Sequence, residues 1–281
     1  MKHYLFLLCI VFFSCQKESE TGNTNLPEKI LPDVSYGSNA LQNMDIYLPA
    51  GRTSSSTKVL ILIHGGGWNS GDKTDFESYV DTLKKRLPGF AIFNINYRLA
   101  SGTSNLFPTQ EMDVKAAVEF ISSRANEYNI SQKIGLVGVS AGAHLCLLQA
   151  YKYSNIKIKA VVDFFGPTDL ADMYNYPASF LASPAALAAI IGATPVTNPA
   201  IYQQSSPINF VSAQSPPTII LQGGVDILVA PSQSSQLKNK LESFAVVNQY
   251  VFYANENHGW YDAPLTDSFN KIEAFLKANM N

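Results

Sequence analysis

Gly138–Val139–Ser140–Ala141–Gly142 sets one hydroxyl between two glycines. An apolar run, Ile134–Val139, precedes it and a helix-like run, Ala141–Ala150, follows. A turn joining strand to helix within so few residues must be tight. Glycine at 138 and 142 removes the Cβ atoms that would strike the neighbouring strand and helix. Such a junction holds the Ser140 hydroxyl out at the carboxyl edge of a sheet, beside the positive end of a helix. A hydroxyl held this way is a nucleophile in waiting, and it needs a base.

The chain offers four histidines: His3, His64, His144 and His258. His3 lies in the first residues, His64 ends a strand-like run and belongs to another motif, and His144 sits four residues along the helix after Ser140, where packing or capping suits it. His258 remains, in the loop-like Glu256–Asn257–His258–Gly259–Trp260, which can fold over the sheet edge toward Ser140. An imidazole acting as base needs an acceptor on its other nitrogen. Between Ser140 and His258 the candidates are Asp163, Asp169, Asp172 and Asp226, with Glu242 and Glu256 behind them. Asp226 follows a strand through Gly223–Gly224–Val225 and is preferred to Asp169, which follows the preceding strand; Asp163 falls inside a strand and reads as structural. His64–Gly65–Gly66–Gly67–Trp68 follows a further strand. Three glycines bring backbone amides close to a bound group, and such amides can hold the negative charge that builds on a carbonyl oxygen under attack. The donors would be the amides of Gly66, Gly67 and Ala141. The run lacks the Lys-Ser/Thr ending of a phosphate-binding loop and the spacing of a dinucleotide fingerprint. Trp68 directly follows these glycines and is expected to wall the pocket.

The elements that position these groups can be read from periodicity. Val59–Ile63, Ala91–Ile95 and Ile134–Val139 are continuous apolar runs, as in strands covered on both faces. Ala160–Phe165, Thr218–Leu221 and Tyr250–Tyr253 add three more strands. Met44–Pro49 alternates and is expected to pair with a strand near Val34. Helical spacing marks Phe76–Leu83, Val114–Ile121, Leu237–Phe244 and Phe269–Leu276. This alternation predicts an α/β fold: a mostly parallel sheet flanked by helices on both faces, with an antiparallel edge. Gly166–Ser206 breaks the pattern. Apart from a helix-like Pro184–Ile191 closed by Gly192, it shows no regular element, and it reads as a small cap inserted over the open end of the sheet.

Composition narrows the function classes. The 281 residues carry 20 Lys plus Arg against 22 Asp plus Glu, a net charge of −2, which argues against nucleic acid as a partner. With 46% hydrophobic and 11% aromatic residues the chain has ample core. At the start, a short basic segment precedes the ten-residue apolar run Tyr4–Phe13, too short to span a bilayer and suited to a signal peptide. The polar residues 16–32 read as a tether. The expected organisation is a signal peptide over 1–14, a flexible tether over 15–33 and one domain over 34–281 with the cap at 166–206. Cys146, in an apolar helical run, reads as a buried thiol.

Together, the HGGGW run, the G-V-S-A-G run, Asp226 and His258 in that order resemble the α/β-hydrolase fold. Within it they are closest to carboxylesterases with an HGGG loop: hormone-sensitive-lipase-like, kynurenine-formamidase-like and bacterial feruloyl or acetyl-xylan esterases. Gln42–Tyr47, Asn96–Leu99, Phe107–Pro108 with Asp113, and Ser206–Ile208 extend the likeness to nearly the whole domain. The resemblance implies hydrolysis of carboxylic esters by Ser140, His258 and Asp226 through an acyl-enzyme, with no metal or organic cofactor. Its rivals are an amidase or formamidase with the same residues and an inactive binding protein on the same fold. The stretch before Val34 is too short for the helical cap of the hormone-sensitive-lipase-like members, which favours the other groups. Phe13–Ser14–Cys15 resembles a bacterial lipobox. It implies cleavage before Cys15, acylation of that thiol, and a protein exported and held in the cell envelope, at the outer membrane. Cys15→Ala should then shift the protein from the membrane pellet to the soluble fraction; retention in the pellet would exclude a lipid anchor.

Overall fold

The computed structural model describes residue 1 and residues 26–281. The signal peptide, Cys15 and most of the tether therefore lie outside the described residues. In chain order the strands are β1 Lys29–Ser35, β2 Asn43–Leu48, β3 Lys58–Ile63, β4 Phe90–Ile95, β5 Ile134–Val139, β6 Ile158–Phe164, β7 Thr218–Gly223 and β8 Asn248–Tyr253. The helices are α1 Glu77–Arg86, α2 Thr109–Ser123, α3 Ala125–Tyr128, α4 Ala141–Lys152, α5 Leu170–Asn175, α6 Pro184–Ile191, α7 Pro199–Gln204, α8 Pro231–Ser243 and α9 Asp262–Asn279.

The strands form one eight-stranded sheet in the order β1-β2-β4-β3-β5-β6-β7-β8. β1 and β2 run antiparallel at one edge, and every pairing from β4 to β8 is parallel. Strand composition explains the layering. On β3, Val59, Ile61 and Ile63 point into one apolar layer with α2, α4 and α8, while Leu60 and Leu62 point into the other with α1 and α9. Period-two alternation inside an all-apolar run buries both faces. Cys146 is buried in the first layer, as its setting predicts. The chain winds from β3 outward to β4 on one side and crosses to β5 on the other. In such sheets ligands bind beyond the carboxyl ends of the strands, where the winding reverses. The loops leaving β3 and β5 are the two glycine motifs.

The segment 166–206, read from the sequence as a cap, lies between β6 and β7 and is more regular than its sequence suggests. Beside the predicted α6, closed by Gly192 in a left-handed conformation, it holds α5 and α7. Each is six residues long, too short to leave a periodic signature, and each begins at a side-chain cap, Asp169 and Asn198. The predicted tether is corrected at its end. The domain begins before Val34, because β1 pairs with β2 from Lys29 opposite Leu48 onward. The buried Lys73 ammonium binds Asp33 at 2.6 Å, and Gly51 donates its amide to the Leu26 carbonyl. This strand shows little hydrophobic period because it is an exposed edge. It carries Pro32 and a register shift between Leu31 and Val34, both of which an edge strand tolerates.

Asp163 sits within β6 with no exposure, as read from its position, and accepts the Gly166 amide at 2.8 Å on Oδ1. Among the described residues its Oδ2 has no partner. Burial pushes its carboxyl up to about 7. A carboxyl whose folded pKa is raised is stabilising below its unfolded value near 4 and loses that stability as pH climbs through about 7. Asp163→Asn keeps an acceptor for Gly166 and cannot ionise. Its melting temperature relative to the parent should therefore rise by several degrees between about pH 5 and about pH 8, following ~1–3 kcal/mol. A difference that stays constant with pH would show that Asp163 ionises freely in the fold.

Candidate active site

Ser140 stands at the junction of β5 and α4 with φ 54° and ψ −122°, a backbone state that side-chain-bearing residues rarely adopt. The surroundings over-determine it. Its amide donates to the Phe164 carbonyl at 2.8 Å and its carbonyl accepts the His144 amide at 3.0 Å. A Cβ on Gly142 would stand 2.1 Å from the Ile63 carbonyl oxygen, and one on Gly138 would stand 2.5 Å from the Ala143 nitrogen. Only glycine fits either place.

The loop leaving β3 turns through Gly66 at φ 97° and Gly67 at φ 56°. The Gly66 carbonyl closes it by accepting the amides of Asn69 and Ser70 at 3.2 and 3.0 Å. Beneath, the Tyr97 ring stacks on His64 at 4.2 Å, and its hydroxyl reaches the carbonyls of His64 and Gly65 at 3.1 and 3.0 Å. Among the described residues, the amides of Gly66, Gly67 and Ala141 donate to no protein acceptor. Gly66 and Gly67 line the same cleft as Ser140.

His258 Nε2 lies 2.9 Å from Ser140 Oγ, and its Nδ1 lies 2.8 Å from Asp226 Oδ2. A carboxylate only accepts, so Nδ1 carries the proton and Nε2 is left to accept from the serine hydroxyl. Phe165 packs against the imidazole with ring centroids 4.5 Å apart. Asp226 has its side chain wholly buried. Its Oδ1 accepts the amides of Leu228 and Val229 at 2.8 and 2.9 Å, and its Oδ2 also accepts Gln222 Nε2 at 3.1 Å. Asp169 is engaged elsewhere, accepting the amides of Ala171 and Asp172 at the start of α5. The structure thus brings Ser140, His258 and Asp226 together and leaves Asp169 apart.

Two side chains that the sequence reading passed over hold this line in place. Asn257 Oδ1 accepts the amides of His258 and Ile227, at 2.7 and 3.2 Å, clamping the histidine loop to the aspartate loop. Gln222 is itself fixed by the Ser234 hydroxyl at 2.7 Å. The signal for Gln222 was present: a lone amide inside the apolar strand Thr218–Gly223.

Trp68 does not wall the cleft. It is buried, with its indole N–H donating to His144 Nδ1 at 3.1 Å, and it is a core side chain beneath the glycine loop. Its backbone has φ 62°. His144 Nε2 in turn donates to the Ser205 carbonyl at 2.7 Å. Complete burial lowers its pKa to about 4 and keeps the imidazole neutral, the packed role expected of it. The cleft above Ser140 has a volume of about 710 Å³. The cap supplies one wall through Met173, Leu181, Ala186, Leu187 and Ile190, so the expected contribution of the 166–206 insertion is present.

The BD-FAE family profile matches residues 44–241. The esterase LipQ of Mycobacterium tuberculosis is 26% identical over 246 residues, covering 81% of this chain and 56% of that protein. A kynurenine formamidase of Scheffersomyces stipitis is 33% identical over 135 residues, 47% of this chain and 46% of that enzyme. A solved structure of a truncated carbohydrate esterase from gut microbiota superposes with a TM-score of 0.77 at 27% identity, over 91% of this chain and 98% of that one. The chain spans about half the length of the curated relatives it matches.

With Trp68 in the core, Trp68→Ala should cost about 3–5 kcal/mol of stability, read as a large fall in melting temperature. The order of preference among acetyl, butyryl and feruloyl esters should be unchanged in the protein that still folds. A variant of near-parental stability with a reordered preference would return Trp68 to the pocket wall.

Proposed function

This chain belongs to the BD-FAE family, and on that footing we propose that it is a serine carboxylic-ester hydrolase acting through an acyl-enzyme. The observation that carries the reading is the unbroken line from Ser140 Oγ through His258 to Asp226, at 2.9 and 2.8 Å, beside backbone amides that have no protein acceptor. In this reading His258 Nε2 takes the hydroxyl proton as Ser140 Oγ bonds to the ester carbonyl carbon. The carbonyl oxygen becomes an oxyanion held by the amides of Gly66, Gly67 and Ala141. The imidazolium, steadied by Asp226, gives its proton to the leaving alkoxide as the carbon–oxygen bond breaks. Water then repeats the sequence on the acyl-enzyme, and the acid is released.

The wide cleft and the likeness to a carbohydrate esterase support small acyl or aryl esters, including acetyl or feruloyl groups carried on polysaccharide, as substrates. The Phe13–Ser14–Cys15 run supports work at the cell envelope by an enzyme anchored through acylated Cys15.

Ser140→Ala should abolish ester turnover with the fold intact, and a fluorophosphonate should label the parent but not the variant. Asp226→Asn should lower kcat by about 10⁴-fold, as an equivalent change does in serine proteases, since an amide no longer selects the productive tautomer. Asp169→Asn should fall far short of that. Turnover or labelling that survives Ser140→Ala would overturn the serine mechanism, and faster cleavage of a matched amide than of its ester would reassign the leaving group.

A further inference from the structure

Two chemically unlike groups of residues line the cleft. The cap wall is apolar: Met173, Leu181, Ala186, Leu187 and Ile190. A second wall can be drawn from the start of α1 and the turn before it, Asp75, Ser78 and Tyr79, together with Trp260 and Tyr261 after the histidine, all of which line the cleft. This second wall carries hydroxyls, aromatic rings and one carboxylate. Among the described lining residues there is no lysine or arginine, and Asp75 is the one acidic side chain.

Chemistry assigns the walls, given the ester-hydrolase reading on which this inference rests. The proton that His258 Nε2 removes from Ser140 must next reach the leaving oxygen. The leaving alcohol therefore lies on the imidazole side of the reacting carbon. The chain leaves His258 directly through Gly259, Trp260 and Tyr261, all of which line the cleft. Tyr261 is 82% exposed at the mouth, with its ring free to stack. Its phenol lies near Tyr79, whose hydroxyl is pushed up to about 12 by burial and by that neighbour. Asp75 is exposed on this wall. One of its oxygens, Oδ2, accepts the Asp72 amide at 3.0 Å, and Oδ1 takes no group among the described residues.

We propose that the leaving alcohol rests on the Tyr79–Tyr261 wall, and that Asp75 makes this wall selective for uncharged, hydroxyl-bearing alcohols over anionic ones. A carboxylate can accept a hydrogen bond from an alcohol hydroxyl and repels a second carboxylate, and no lysine or arginine among the described lining residues offsets it. The cap wall, having no charge, takes the acyl group and is indifferent to Asp75.

The test compares kcat/KM at low ionic strength for two esters with the same acyl group, methyl 3-acetoxybenzoate and 3-acetoxybenzoate, which differ in charge on the leaving phenol. A second pair, 4-nitrophenyl acetate and 4-nitrophenyl hemiglutarate, places the charge on the acyl end. The parent should prefer the uncharged phenol ester. Asp75→Asn, which keeps an acceptor for the Asp72 amide, should narrow that preference by roughly threefold to tenfold through faster turnover of the anionic ester. The acyl-end pair should move less. Roughly 0.5 M sodium chloride should narrow the leaving-group preference of the parent in the same direction, which tests the charge effect without any substitution. A leaving-group ratio unmoved by both the substitution and salt would overturn the proposal, as would an acyl-end ratio that moves as far. Failure of the parent to hydrolyse either phenol ester would instead overturn the ester-hydrolase reading beneath it.

Discussion

The cleft depends on how closely the start of α4 passes the end of β3. At Gly142 the gap is too small for a Cβ, which would meet the Ile63 carbonyl at 2.1 Å. That approach forces the chain at Ser140 into a positive φ and leaves its side chain at the sheet edge. The same approach sets Ala141 beside the loop leaving β3, so the Ser140 hydroxyl and the amides that meet no acceptor among the described residues are positioned by one contact. Strain of this kind costs of order 1–3 kcal/mol and persists only where packing over-determines it. Here β5 lies between β3 and β6, with its residues buried on both faces.

His258 and Asp226 are positioned differently, by two loops fastened to each other. Gly223 and Gly224 let the aspartate loop lie against the backbone of residues 254–257, where a Cβ would meet the Asn257 and Ala254 carbonyls at 2.2 and 2.4 Å. Val225 then donates its amide to the Glu256 carbonyl at 3.0 Å, and Asn257 joins the loops a second time. The aspartate has its acceptor sites filled by amides before it meets the imidazole. His258 is thereby held between a fixed carboxylate and a fixed hydroxyl.

The other histidines of the domain serve the scaffold. His144 links the indole of Trp68 to the Ser205 carbonyl, tying the glycine loop, α4 and the segment that ends at Ser206 into one buried chain. His64 is stacked under Tyr97, and burial lowers its pKa. A neutral imidazole that donates at one nitrogen and accepts at the other can bridge two buried groups, which suits it to a crowded junction.

Much of this was legible in the linear chain. Glycine spacing around Ser140 reports a local steric need, and the unbroken apolar runs Val59–Ile63 and Ile134–Val139 report burial on both faces; each involves neighbours in sequence, so the sequence alone determined them. The loop positions of Ser140 and His258 and the mostly parallel sheet were readable for the same reason. What the tertiary structure decided were contacts between distant segments. Trp68 and His144 are 76 residues apart, and nothing near Trp68 in sequence distinguishes a ring facing the cleft from one turned under it. Lys29–Ser35 is a strand because β2 supplies the hydrogen bonds, while its own exposed, proline-bearing sequence carries too little apolar period to announce it. Asp226 and Asp169 both follow strands at the same sheet edge. Only the folded chain shows that Asp169 is spent capping α5 and that Asp226 reaches the imidazole, because a carboxylate's partner is settled by which amides and rings surround it in space.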